Sequence, residues 1–237
     1  MKPRLLIAIA LAAGIVTAAI LLRPEGPITG PPAHPWASFP VGTWVERREA
    51  VKMGEKNTGS VERYEVIEIK PEAVRLKVST RYEFGESKET ETRDQFVGTL
   101  DEDLSLKDFV PGKSVEREVG DQTFACRIYT RLKGTTTTTR WIADRIPAWP
   151  LRDLVVTDNG PQQETVDTAL LDLNAIVKVK DREIPCQMFL EVHASNGVLT
   201  QKTYLWKSQK VPGHLVRRLD GLSEGVETEM VVTGLNP

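Results

Sequence analysis

The sequence is poor in the residues that most enzymes and nucleic-acid binders need. Among 237 residues there are three histidines and two cysteines, and aromatic residues make up 6%. No histidine sits in an H-E-x-x-H helix, a Gly-rich nucleophile elbow or a Cys-His arrangement with recognisable flanks, so metalloprotease and triad signatures are missing. VPGKS, from Val110, has only the second half of a phosphate-binding loop. Cys126, Cys186, His193 and His214 are of metal-ligand type but lack zinc spacing, and His34 has no second donor near it. No metal and no cofactor is therefore expected. An excess of one charge is lacking too, with 31 basic residues against 33 acidic ones and no basic cluster. A nucleic-acid partner, which needs clustered Lys and Arg to neutralise phosphates, is excluded on that ground. Acidic groups such as LDEDLSLKD, from Leu100, read as solvated surface. The chain is expected to be non-enzymatic; the alternative is a hydrolase whose residues are dispersed over loops.

What is present begins with a hydrophobic run. Lys2 and Arg4 precede LLIAIALAAGIVTAAILL, eighteen residues from Leu5 to Leu22 without a charge. As a helix this run is about 27 Å long, close to the roughly 30 Å hydrocarbon core of a bilayer. Residues 5–22 are expected to tether the chain to a membrane, with Lys2 and Arg4 on the cytoplasmic side and the remainder outside. A secreted form cut after Ala18 is the alternative, since Val16 and Ala18 are small residues of the kind that precede a cleavage point. Residues 1–23 hold three basic residues and no acidic one, leaving 28 basic against 33 acidic residues in a mildly acidic exported part. Residues 24–35 follow as a proline-rich linker, an extended spacer because proline fixes φ and lacks an amide donor.

From Trp36 the apolar period is two. SVERYEVIEI, AVRLKVSTRYEF and TFACRIYTRL alternate apolar and charged positions, with Val74, Leu76 and Val78 on one face and Phe124, Cys126 and Ile128 on another. GEKNTG, FGESKE, VGDQ, KVKDRE and HASNG read as hairpin turns between such strands. The fold class is mainly β: an antiparallel, curved or half-barrel sheet with one short helix. TLDEDLSLKDFV predicts that helix, with Thr99 and Glu102 in a capping box and Pro111-Gly112 closing it.

Two segments of the sheet resemble each other. WIADRIPAWPLR, from Trp141, and WKSQKVPGHLVR, from Trp206, share W-x4-[IV]-P-x3-[LV]-R. Cys126 and Cys186 precede the two copies, and VDTALL, from Val166, resembles VETEMV, from Val226. An internal repeat of about 60–65 residues is expected, giving a β region at 36–115 and repeats at 116–175 and 176–237. TVDTALLDL alone has helical spacing, but its β-branched counterpart VETEMVVTGL argues for strands in both places. The candidate residues are Trp141, Pro147, Arg152, Trp206, Pro212 and Arg217. Either they pack, with tryptophan in the core, proline at the turn and arginine over the ring, or the tryptophans line a groove for an acyl chain or an apolar peptide. Cys126 and Cys186 form a disulfide if their strands are adjacent, and are two separately buried thiols if not.

The order of membrane segment, proline-rich spacer and charged hairpins with a strand-final tryptophan before a proline turn resembles bacterial envelope proteins built as a half-open β-barrel, the lipoprotein-carrier family among them. The resemblance is one of rhythm over residues 110–237. It implies a location in the cell envelope and, as partner, a lipid or another envelope protein.

Overall fold

A computed structural model describes residues 35–236 except 54–55, 72, 85–86, 99–105, 107, 144–148 and 222–225. The apolar segment, linker residues 24–34 with His34, and Pro147 lie outside the described residues. The described residues form thirteen strands and no helix. The strands are β1 (Trp44–Met53), β2 (Lys56–Ile69), β3 (Ala73–Phe84), β4 (Ser87–Gly98), β5 (Val110–Val119), β6 (Gln122–Lys133), β7 (Thr136–Ala143), β8 (Arg152–Asp158), β9 (Gln163–Val179), β10 (Arg182–Ser195), β11 (Val198–Lys207), β12 (Leu215–Gly221) and β13 (Val226–Asn236). The predicted helix at 99–110 falls mostly outside the described residues; at its end Val110 opens β5.

All thirteen strands belong to one antiparallel sheet, in the order β4-β3-β2-β1-β13-β12-β11-β10-β9-β8-β7-β6-β5. The five predicted turns all join strands that pair as hairpins. Asn196 and Gly197, with φ of 51° and 76°, make the two-residue link between β10 and β11, a conformation that Asn-Gly adopts at low cost. TVDTALLDL and VETEMVVTGL are both strands, within β9 and β13.

Consecutive strands β4 and β5 form opposite edges of this sheet, and that placement dictates its shape. Laid flat, thirteen strands at about 4.8 Å spacing span about 58 Å. The chain from Gly98 to Val110 reaches at most about 42 Å when fully extended. A flat sheet is therefore excluded, and the sheet must curl. The curl shows at the β5–β6 turn, where Val119–Gln122 face Leu171–Asn174 of β9 across a small pocket.

β9 and β10 are long, and their paired ends project past their neighbours. β8 pairs with β9 no further than Ala169, and β11 pairs with β10 only from Gln187. Register shifts between Cys186 and Phe189 bend this hairpin where it leaves the sheet. Beyond the bend Val177, Val179, Ile184 and Cys186 join Val45, Val66, Leu76 and Val78 of β1, β2 and β3 in one buried cluster. Strand alternation supplies the other side of that cluster: Val66 faces Leu76 and Tyr64 faces Val78. Val211 of the loop before β12 and Val216 of β12 close it. Gly213 in that loop has a φ of 72°, and a β-carbon there would fall 2.5 Å from the Trp36 ring. A second cluster holds Cys126, Trp141, Leu151, Leu170, Phe189 and Leu205.

Cys126 and Cys186 are both free and buried, one in each cluster. Of the two readings, the structure has separately buried thiols. Their strands, β6 and β10, are four positions apart in the sheet, about 19 Å along its width, whereas a disulfide needs α-carbons within roughly 7 Å. Burial pushes the Cys186 thiol up to about 12 and that of Cys126 up as well.

Two outcomes follow. Leu76, fully buried, should cost about 2–5 kcal/mol on replacement by alanine, while Leu132→Ala, at an exposed position, should stay within about 0.5 kcal/mol in the same urea titration. At pH 8 the raised thiols are protonated and shielded, so iodoacetamide should label neither cysteine of the native chain and both in urea, as read by intact mass.

Candidate functional site

The register of β7 to β12 aligns polar residues across one face of the sheet. Arg140 lies opposite Asp153, Asp153 opposite Thr168, Thr168 opposite Glu191, Glu191 opposite Thr203 and Thr203 opposite Asp220. Directly opposed residues share a face, so six strands contribute to one line. Contacts follow it. Arg140 Nε donates to Asp153 Oδ2 at 3.2 Å, Thr168 Oγ1 to Glu191 Oε2 at 3.2 Å and Thr203 Oγ1 to Asp220 Oδ1 at 2.8 Å. Arg218 carries the line onto β1, with Nε 2.9 Å from Asp220 Oδ2 and Nη2 donating to Glu49 Oε1 at 2.7 Å. His193 Nε2 is 3.0 Å from Glu191 Oε1.

This polar belt is largely sequestered: Arg140, Thr203 and Asp220 are buried. Phe109, just before β5, lies on it between the guanidinium groups of Arg131 and Arg140, 4.7 and 4.8 Å from its ring centroid. Farther along, Tyr64 donates to Glu62 Oε2 at 2.5 Å and Thr80 to Glu62 Oε1 at 3.3 Å. Burial, then the Glu62 bond, pushes the Tyr64 phenol up to about 12. Arg47 stacks on Trp36 and Tyr64 and donates through Nη2 to Pro212 O at 3.1 Å; burial lowers its pKa.

The candidates named from sequence occupy the opposite side of the same strands, since Trp141 follows Arg140, Arg152 precedes Asp153 and Arg217 precedes Arg218. Trp141 faces Arg152 across β7 and β8, and Trp206 faces Arg217 across β11 and β12. The guanidinium of Arg152 lies 5.1 Å from the Trp141 ring and that of Arg217 lies 4.8 Å from Trp206. Each arginine is held by a carboxylate: Arg152 by Asp167, with Nε–Oδ1 2.6 Å and Nη2–Oδ2 2.5 Å, and Arg217 by Glu229, with Nε–Oε1 2.8 Å. The Asp167 hydrogen bond raises the Arg152 pKa. Arg117 covers Trp141 as well, at 4.9 Å. Pro212 is fully buried in the loop before β12.

Register also corrects the alignment of the two segments. Matching Val166 with Val226 sets Asp167 against Glu227, whereas Arg152 opposes Ala169 and Arg217 opposes Val231, which makes Glu229 the counterpart of Asp167. The two cysteines hold corresponding places, since Ile128 opposes Trp141 and Met188 opposes Trp206, each two residues after its cysteine.

Sequence reasoning missed the belt. Its one local signal is a charge at an alternating position otherwise filled by apolar or hydroxyl residues, as with Arg140 at the end of the threonine run. Cys126, Cys186, His193 and His214 do not converge: the cysteines lie in different clusters, His193 pairs with Glu191, and His214 meets Trp149 edge to face, 5.5 Å between ring centroids.

No protein-family model and no curated protein matches the chain. Solved structures similar to it include a candidate lipoprotein from Parabacteroides distasonis, 10% identical, with a TM-score of 0.41, covering 90% of this chain and 100% of that one. The hypothetical lipoprotein YmcC from Escherichia coli is 10% identical, with a TM-score of 0.30 and 85% and 87% covered. A LolA superfamily protein from Nitrosomonas europaea is 8% identical, with a TM-score of 0.30 and 86% and 90% covered. Two of these neighbours are lipoproteins, and the third is of the lipoprotein-carrier-like class that the strand rhythm resembles. At such TM-scores the likeness carries no argument about what this chain does.

Proposed function

We propose that the chain is a non-enzymatic extracytoplasmic module, tethered to the membrane through residues 5–22, whose sheet acts as a scaffold for envelope proteins and not as a carrier of acyl chains. The observation that carries this reading is the covering of both tryptophans. A groove for an acyl chain needs open apolar surface from strand to strand. Here each indole lies under a guanidinium that a carboxylate holds in place, and the opposite face carries ion pairs that an alkyl chain would have to desolvate. Of the large exposed apolar residues, Phe96, Val110, Leu132, Val198 and Leu199 sit at sheet edges and hairpin ends, while Leu171 and Ile176 lie within β9. On this reading the W-x4-[IV]-P-x3-[LV]-R elements are structural parts of an internal duplication.

A hydrolytic reading has one observation in its favour, the convergence of Glu191, His193, Thr203 and Asp220 on the belt. A hydroxyl nucleophile, though, must be reached by its substrate, and Thr203 and Asp220 are buried. The hydroxyls of Thr203 and Thr168 donate to Asp220 and Glu191, and His193 is turned to Glu191. The scaffold reading accounts for these contacts as satisfied cross-strand pairs.

Native mass spectrometry of the full chain extracted from membranes should show protein without a stoichiometric lipid; a lipid retained one to one would overturn the scaffold reading. In spheroplasts of the expressing cell, external protease should digest residues 36–237 while the chain resists carbonate extraction. Protection from the protease, or release by carbonate, would overturn the tethered topology.

A further inference from the structure

On the side of the sheet turned away from the polar belt, one row of residues carries no charge. Leu132 lies opposite Thr137, Thr137 opposite Val156, Val156 opposite Thr165, Thr165 opposite Ala194 and Ala194 opposite Leu199, so the row crosses six strands, β6 to β11. Alternation places it: Arg140, Asp153 and Thr168 belong to the belt, and residues an odd number of places from them in the same strand point the other way. The same side of β2, β3 and β4 is charged instead, with Glu65, Lys77 and Asp94 in line. Leu132 and Leu199, at the two ends of the row, are 72% and 58% exposed. The belt is largely buried and the row is not, so the row lies on the outside of the curl. An outer face offers no groove for an acyl chain, but it can pack against a second sheet face.

We propose that this row is the contact between two copies of the chain, packed face to face about a two-fold axis that runs parallel to the strands, between β8 and β9. Leu132 then meets Leu199 of the second copy, Thr137 meets Ala194 and Val156 meets Thr165, with every pair repeated by the symmetry. No charge is buried without a partner in these pairs. Shape agrees, since the small middle residues and the leucines at both ends fill the space where two outward-curving faces diverge. The tether gives the direction of the axis. Pro35 O accepts from Gly213 N at 2.7 Å in the loop after β11, whereas Leu199 lies at the start of β11. The linker therefore joins the fold at the end of the strands remote from the row. Two copies held in one bilayer are related by an axis along its normal, and an axis parallel to the strands puts both tethers on the same side. With the next two rows towards Trp141, the face is about 24 Å wide and about 20 Å tall, so two copies bury about 1,000 Å², the size at which a specific interface begins. The charges in those rows are already engaged, Asp167 with Arg152 and Lys202 over the Tyr204 ring.

The test is the mass of the full chain in detergent micelles, by light scattering over a range of protein concentrations. The unaltered chain should be a dimer; monomers alone would overturn the proposal. Leu132→Glu and Leu199→Glu should each weaken the dimer at least roughly ten-fold, because each buries two carboxylates without partners. Thr92→Glu, at an exposed position on the same side of β4, should leave it unchanged. Because Leu132 and Leu199 are exposed, their variants should keep the urea midpoint of the unaltered chain. Equal weakening by Thr92→Glu would overturn the choice of face. Leu132→Glu combined with Leu199→Lys in one chain should restore the dimer, since position 132 of one copy faces position 199 of the other; failure to restore it would overturn the axis. The proposal rests on the tethered scaffold reading, and the two fail differently: a lipid retained one to one overturns that reading, whereas a lipid-free monomer overturns only the dimer.

Discussion

The register of β7 to β12 is the constraint on which the rest of this molecule depends. Arg140 and Trp141, Arg152 and Asp153, Asp167 and Thr168, and Arg217 and Arg218 are neighbours in sequence and therefore point to opposite faces. Each pair gives one member to the polar belt and, except in β9, where Asp167 holds the arginine, one to a tryptophan–arginine contact. A slip of one residue between two strands would exchange the faces. Arg140 would then be buried without Asp153, at a cost of several kcal/mol, and Trp141 would lose the guanidinium that covers it. Two independent sets of contacts thus select the same register, one by pairing buried charge and one by stacking.

The second constraint is topological. Because β4 and β5 are consecutive and yet lie at opposite edges, the chain cannot form a flat sheet, and the curl brings distant segments together. The β5–β6 turn reaches β9, and the β9–β10 hairpin bends over β1, β2 and β3 to bury the valines of the first cluster. This one sheet therefore has two cores without a covering layer of helices among its described residues. Bulges make it feasible, since each bends a strand locally while pairing continues on either side.

Much of the architecture is legible in the sequence because it rests on short-range signals. Alternation in AVRLKVSTRYEF marks β3, and Asn196-Gly197 marks a turn. The two W-x4-[IV]-P-x3-[LV]-R segments mark tryptophan–arginine contacts that the structure contains. The belt was not legible, because its partners meet only through register: Arg140 and Asp153 are 13 residues apart, Thr168 and Glu191 are 23 apart, and Glu49 and Arg218 are 169 apart. Glu229 as the holder of Arg217 was missed for a related reason. Similarity of VDTALL to VETEMV aligned letters, whereas what positions the carboxylate is its diagonal offset from the arginine's cross-strand partner.

A double-mutant cycle on Arg140 and Asp153, read by urea unfolding of the full chain in detergent, tests this account most directly. If the two groups are opposed on one face and satisfy each other, Arg140→Met and Asp153→Leu should each destabilise strongly. The double variant should then recover at least about 1.5 kcal/mol of their summed cost. Additivity within about 0.5 kcal/mol would mean that the pair is not formed and that the register joining β7 to β8 is not the one described here.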